Sequence, residues 1–163
     1  MIARAAAEPR LALALNLELG YGRHGASARV ELHERPQDGP APHRIARVAL
    51  HGWIDRVAER RLEATLDDLA ARGVDQVLLD CERLRHIDYR MAPALVDAVE
   101  RFESRAGGVV VCGLSRHLRD LFRLAGCESR LRCWPSASEL LEAGVATGEP
   151  LDQVPAVGRS DAP

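Results

Sequence analysis

Asp75-Gln-Val-Leu-Leu-Asp80 and Gly107-Gly-Val-Val-Val-Cys112 are two short apolar runs in which polar residues do not alternate with apolar ones. A strand reads this way when both faces of its sheet are covered. Between them, from Tyr89 to Ser104, Met91, Leu95, Ala98, Val99 and Phe102 repeat at the three-and-four spacing of an amphipathic helix. A strand, a helix and a second strand in succession predict parallel neighbours joined by a crossover. The fold class is therefore α/β.

Working outward extends the pattern. Arg56–Arg72 carries Ala58, Leu62, Thr65, Leu66 and Leu69 on one stripe, with Gly73 at the end. Val30–Glu34 and Ile45–His51 read as a hairpin around the turn-rich segment from Pro36 to Pro42. Ser115 is placed to cap a third helix that ends at Gly126. Arg130–Trp134 reads as a last strand, and Ser136-Ala-Ser-Glu139 as a capping box opening a fourth helix. The expected product is one mixed sheet of four to six strands with about four helices against it. Leu11, Leu13, Leu15, Leu17 and Leu19 alternate, so residues 1–28 are expected to be an extension holding one extra strand. Residues 29–146 form the domain, and 147–163, with Pro150, Pro155 and Pro163, are expected to be a disordered tail.

Composition removes several functions. The chain has 163 residues, 47% of them hydrophobic and 28% charged, enough for one packed core. The net charge of −2 argues against a general grip on nucleic acid. No apolar run approaches the roughly 20 residues that span a bilayer, and the N-terminus lacks a secretory pattern. No membrane insertion and a cytoplasmic location are expected. All 22 basic residues are arginine, so Schiff-base and Walker-type lysine chemistry is excluded. Cys81, Cys112, Cys127 and Cys133 form no C-x-x-C pair and are expected as buried thiols. His24, His33, His43, His51, His86 and His117 show no metal spacing and are expected to be scattered. No metal site, no cofactor and no catalytic residue is expected; Ser115 lacks a G-x-S-x-G turn.

The core stretch resembles a known family. Val48-Ala-Leu-His-Gly52-Trp-Ile-Asp55 resembles the second-strand motif of STAS domains, which ends in Gly-x-(Ile/Leu)-Asp. Val77-Leu-Leu-Asp80, Leu84 and Ile87-Asp88 resemble the approach to that family's Asp-Ser-Ser-Gly loop. Gly107 to Ser115, then Leu118, Leu121-Phe122 and Ala125-Gly126, resemble its Gly-Gly-strand-Ser-helix segment. The set is most similar to bacterial anti-sigma factor antagonists. That resemblance implies a non-enzymatic, partner-switching regulator of transcription. Its partner would be an anti-sigma factor, often a serine-kinase-like ATPase, and phosphorylation of the loop's second serine would break the complex. A homodimer is left open. So is a second function, as a STAS-like structural subunit of a lipid transporter or of a stress-sensing assembly.

The loop departs from the family pattern at its centre. It reads Asp88-Tyr89-Arg90-Met91, with Arg90 at the acceptor position, so no phosphorylation site is expected there. Asp55, Asp88, Tyr89, Arg90 and Met91 are the candidate partner-binding residues. Arg90 is expected near a helix start, where a cation costs about 0.3–1 kcal/mol unless Asp88, Asp55 or an acidic group of a partner relieves it. Pro93 tolerates only an early helical position, so the helix is expected to begin late, near Met91 or Ala92, or to have an irregular first turn.

Overall fold

The structure, a computed structural model, describes residues 9–21 and 23–147. Of the expected tail 147–163, Thr147 instead ends the last helix, and 148 onward lies outside the described residues. Seven strands form one mixed sheet. The leucine alternation gives β1 (Arg10–Gly20), which pairs antiparallel with β2 (Ala26–Arg35). β2 pairs antiparallel with β3 (His43–Ile54) in the expected hairpin. The next strands, β4 (Gln76–Asp80), β6 (Val109–Cys112) and β7 (Cys133–Trp134), add in parallel on the far side of β3. The sheet order is β1-β2-β3-β4-β6-β7.

β5 (Leu84–Ile87) was not foreseen. Four residues with a single alternation leave too short a pattern to read. β4 ends at Asp80, and after a turn β5 takes over parallel pairing with the end of β3, matching Gly52 to Leu84 and Ile54 to Ile87. This hand-over lets β3 run past β4 and carry Trp53 and Asp55 to the rim of the sheet. With β1 counted, the total is one more strand than expected.

The helices are α1 (Arg56–Ala71), α2 (Ala92–Arg105), α3 (Arg116–Leu124) and α4 (Ala137–Thr147). Alternate strand residues split the core in two. Val48, Leu50, Val77, Leu79, Val109 and Val111 pack with Leu62 and Leu66 of α1, Val96 and Phe102 of α2, and Leu118 and Phe122 of α3. Ile45, Leu78, Val110 and Cys112 face the other way, onto Ala137 and Leu140 of α4. β4 and β6 are thus buried on both faces, which is why their sequences show no alternation. Ser115 Oγ accepts from the Leu118 N–H at 3.2 Å, and Ser136 Oγ from the Glu139 N–H at 3.3 Å, as their cap positions predict.

The expected strand Arg130–Trp134 shrinks to Cys133–Trp134, after a single 3₁₀ turn at Glu128–Arg130. The Arg130 guanidinium holds Asp97 and Glu100 of α2 at 2.8 and 2.7 Å.

Candidate functional site

At the rim where β3 and β5 end, two aspartates organise the backbone. Asp55 is the N-cap of α1; its carboxylate accepts from the Ala58 N–H at 2.9 Å. Asp88 opens a one-turn 3₁₀ helix, Tyr89–Met91, and accepts from the Arg90 N–H at 3.1 Å. The backbone N–H of Asp88 donates to the carbonyl of Ile54 at 2.9 Å, which ties the two loops together. α2 then starts at Ala92 with Pro93 in its first turn, where no helical hydrogen bond is lost. Both the late start and the irregular turn expected from Pro93 are present.

Arg90 is relieved as expected, and the carboxylate that does it is Asp88. Nε lies 3.0 Å from Asp88 Oδ1 and Nη2 lies 2.8 Å from Oδ2. The guanidinium hydrogen bonds hold the Asp88 carboxyl below the usual carboxylate range. The Arg90 side chain is 71% exposed, so the fork faces outward. Tyr89 is also exposed and does not belong to the core. Trp53, Ile54, Asp55, His86, Asp88, Tyr89 and Arg90 line one open cavity of about 410 Å³. Met91 is half-buried and is not among the lining residues. Four of the five candidate residues are therefore brought together and the fifth is set back.

The histidines correct the sequence reading. Three of the six are not scattered. His24, from the β1–β2 turn, stacks on Trp53 at 3.7 Å between ring centroids and 10° between planes. Trp53 meets His86 of β5 at 4.7 Å, tilted by 49°. His86 meets His117, in the first turn of α3, at 5.2 Å, and their nitrogens Nδ1 and Nε2 are 2.9 Å apart. The residues lie 29, 33 and 31 positions apart in the chain, so no local spacing could have announced the cluster. Burial pushes the His86 imidazole below its ordinary range, helped by His117 and His24 and opposed by Asp88.

Gly52 makes this geometry possible. Its φ is +86°, and a Cβ built there would lie 2.3 Å from the Gly25 carbonyl oxygen. That carbonyl accepts the Trp53 N–H at 2.9 Å. The glycine of the Gly-x-Ile-Asp motif thus lets the turn carrying His24 close against the strand end carrying Trp53 and Asp55.

No group of three or more possible metal ligands occurs among the described residues. Cys81, Cys112 and Cys127 are buried and Cys133 half-buried, all unpaired. Burial raises the Cys81 thiol well above the ordinary range and pushes Cys112 up to about 12. No described helix is long and apolar enough to cross a membrane.

Comparison with known proteins agrees with the architecture. Solved structures with the same fold include SpoIIAA, an anti-sigma factor antagonist, in its unphosphorylated form, at TM-score 0.52 and 20% identity over 70% of this chain and 94% of that one. An anti-sigma factor antagonist from Mycobacterium paratuberculosis superposes at 0.55 with 18% identity, over 75% and 96% of the two chains. The protein TM1081, solved by NMR, gives 0.53 at 12% identity over 60% and 79%. No curated protein matches the chain. The family model described as "Mlab, STAS domain" matches residues 41–133, more than half of the sequence, from just before β3 through α3 to the first residue of β7. With that match and the mixed sheet whose rim carries Asp55 and Asp88, the chain belongs to the STAS domain family.

Proposed function

We propose that the protein is a non-catalytic binding module of anti-sigma factor antagonist type whose docking face is the rim carrying Asp55, Asp88, Tyr89 and Arg90, with half-buried Met91 ending the loop's single turn. Its partner is a protein, an anti-sigma factor or a serine-kinase-like ATPase, and neither nucleic acid nor a membrane is engaged directly. The observation that carries this reading is the outward Asp88–Arg90 fork beside exposed Tyr89 and Trp53. Aromatic and arginine side chains around a shallow cavity are the groups that dominate protein interfaces. A serine hydroxyl here would accept a phosphate and acquire about −1.5 to −2 charges. Arg90 carries no hydroxyl and the Asp88–Met91 loop holds no serine, so serine phosphorylation in this loop does not switch the complex.

Pull-down with wild type and Arg90→Asp tests the face. Reversing the charge breaks the fork and sets like charges side by side, and partner recovery should fall at least tenfold. Equal recovery from both would show that the loop is not the contact surface. Incubation with a cognate kinase and ATP should leave the Asp88–Met91 peptide unmodified, and stoichiometric phosphate on Tyr89 would overturn the missing switch.

One observation favours a second reading, a structural subunit of a lipid transporter or a stress-sensing assembly. A loop without a hydroxyl at Arg90 suits a permanently assembled component. Co-purification with a transporter ATPase, rather than with an anti-sigma factor, would select it.

A further inference from the structure

We infer that the His86–His117 contact is a one-proton latch, which holds β5 against α3 at neutral pH and releases the aromatic stack beside the docking loop in acid. The latch itself stands on geometry alone; its consequence for binding rests on the reading of this rim as the docking face.

The facing atoms are His86 Nδ1 and His117 Nε2, 2.9 Å apart. At that distance one hydrogen fits between two nitrogens and two do not. Two neutral imidazoles satisfy the contact, one donating and one accepting. A first extra proton leaves it intact, because it goes to a ring nitrogen that points away. A second extra proton requires N–H against N–H, so the rings must part.

The surroundings set which way the balance tilts. From the β1–β2 turn His24 approaches, stacked on Trp53 of β3. From the loop after β5 Asp88 favours a cation on His86, but its two oxygens are held by Arg90. Asp55 lines the same cavity and is committed to capping α1. From α3 comes His117 itself, in the helix's first turn, where the backbone dipole already points its positive end. Partial burial and the two neighbouring imidazoles outweigh Asp88, so His86 takes a proton less readily than a free histidine. The sign follows. A base harder to protonate in the closed form than in the open one favours closure above its ordinary pKa, and that preference is lost as the pH falls.

Release would be felt at the docking face. His86 is two residues before Asp88, and Trp53 two before Asp55. The two loops meet through the Asp88 N–H bond to Ile54. Parting of the rings therefore loosens both walls of the cavity.

Imidazole resonances of the full chain, followed by long-range proton–nitrogen NMR from pH 8 to 5, give the test, with Trp53 fluorescence in a Trp134→Phe background as a second readout. His86 should titrate below the ordinary histidine value of about 6.5, and Trp53 emission should change with it. In His117→Ala, an exposed substitution, the His86 midpoint should rise by about half a pH unit or more. An unchanged midpoint in that variant would overturn the latch. So would full protonation of both rings at the ordinary value. Wild type should capture its partner at least fivefold less well at pH 5.5 than at 7.5, and His117→Ala equally at both. Equal capture by wild type would overturn the regulatory consequence. Absence of capture at any pH would overturn the docking reading instead, with the NMR result judging the latch separately.

Discussion

Replacing Gly52 with alanine should cost far more than its single methyl suggests. Three effects add. The backbone sits at φ +86°, a conformation that costs an L-residue roughly 1–2 kcal/mol. The new Cβ would lie 2.3 Å from the Gly25 carbonyl oxygen and 3.1 Å from its carbon, so one chain must move by about 1 Å. Forcing that movement in a packed region costs about 1–3 kcal/mol. It also stretches the 2.9 Å hydrogen bond from the Trp53 N–H, a loss of about 1 kcal/mol. Reduced freedom of the unfolded chain returns about 0.4–1 kcal/mol. The net destabilisation should be about 3–4 kcal/mol, or roughly 10 °C in Tm for a domain of this size. Gly126 supplies the comparison. It has φ +76° with nothing within 4 Å of a built Cβ, so Gly126→Ala meets only the backbone term, about 1 kcal/mol. Urea unfolding of both variants, followed by far-UV circular dichroism, measures the difference directly. If the two agree within about 0.5 kcal/mol, close approach to Gly25 is not what requires glycine in the motif.

Asp80 is 5% exposed and receives both Nε and Nη2 of Arg47 on one oxygen, at 3.1 and 2.7 Å. Arg47→Leu should destabilise by about 2–3 kcal/mol in urea, less than a fully buried pair because Arg47 is partly exposed, and adding Asp80→Asn should recover most of the loss. No recovery in the double variant would refute the uncompensated charge as the cause. Glu59 is 3% exposed, and its Oε1 has no hydrogen-bond partner among the described residues. Burial, then Glu63, raises its carboxyl above the usual range. A raised acid binds protons better folded than unfolded, so it weakens the fold as pH rises above its ordinary value. Glu59→Gln should gain about 1 kcal/mol at pH 7 and nothing near pH 4; an equal gain at both would refute the titration. Thiol labelling of the native protein should modify Cys133 first and Cys81, Cys112 and Cys127 only on unfolding, as their burial dictates. Simultaneous labelling of all four would contradict that core.

Much of the fold was legible in local pattern. The Val-Leu-Leu and Val-Val-Val runs, the stripes of α1 and α2, and the serine caps at Ser115 and Ser136 each depend on neighbours within a few residues. Their physics is short-range, so the chain itself displays it. The late start of α2 follows from the ring of Pro93 for the same reason. Asp88 as the relief for Arg90 was one of three candidates, beside Asp55 and a partner's acid, and only the folded loop selects it.

What the amino-acid order could not display is whatever forms between segments distant in the chain. β5 exists because β4 stops at Asp80 and leaves the end of β3 unpaired, a vacancy that four residues cannot advertise. Arg130 was spelled as part of a strand, yet Asp97 and Glu100 on another element claim it. Chain order alone established the α/β class and most of the strand-and-helix succession, whereas the part assigned to Arg90 came only from the resemblance of its loop to a family pattern. Tertiary structure alone decided that His24, Trp53, His86 and His117 meet, because a turn, two parallel strand ends and a helix start converge only when the sheet closes. Ring stacking and proton sharing act over 3–5 Å in space, whatever the separation along the chain.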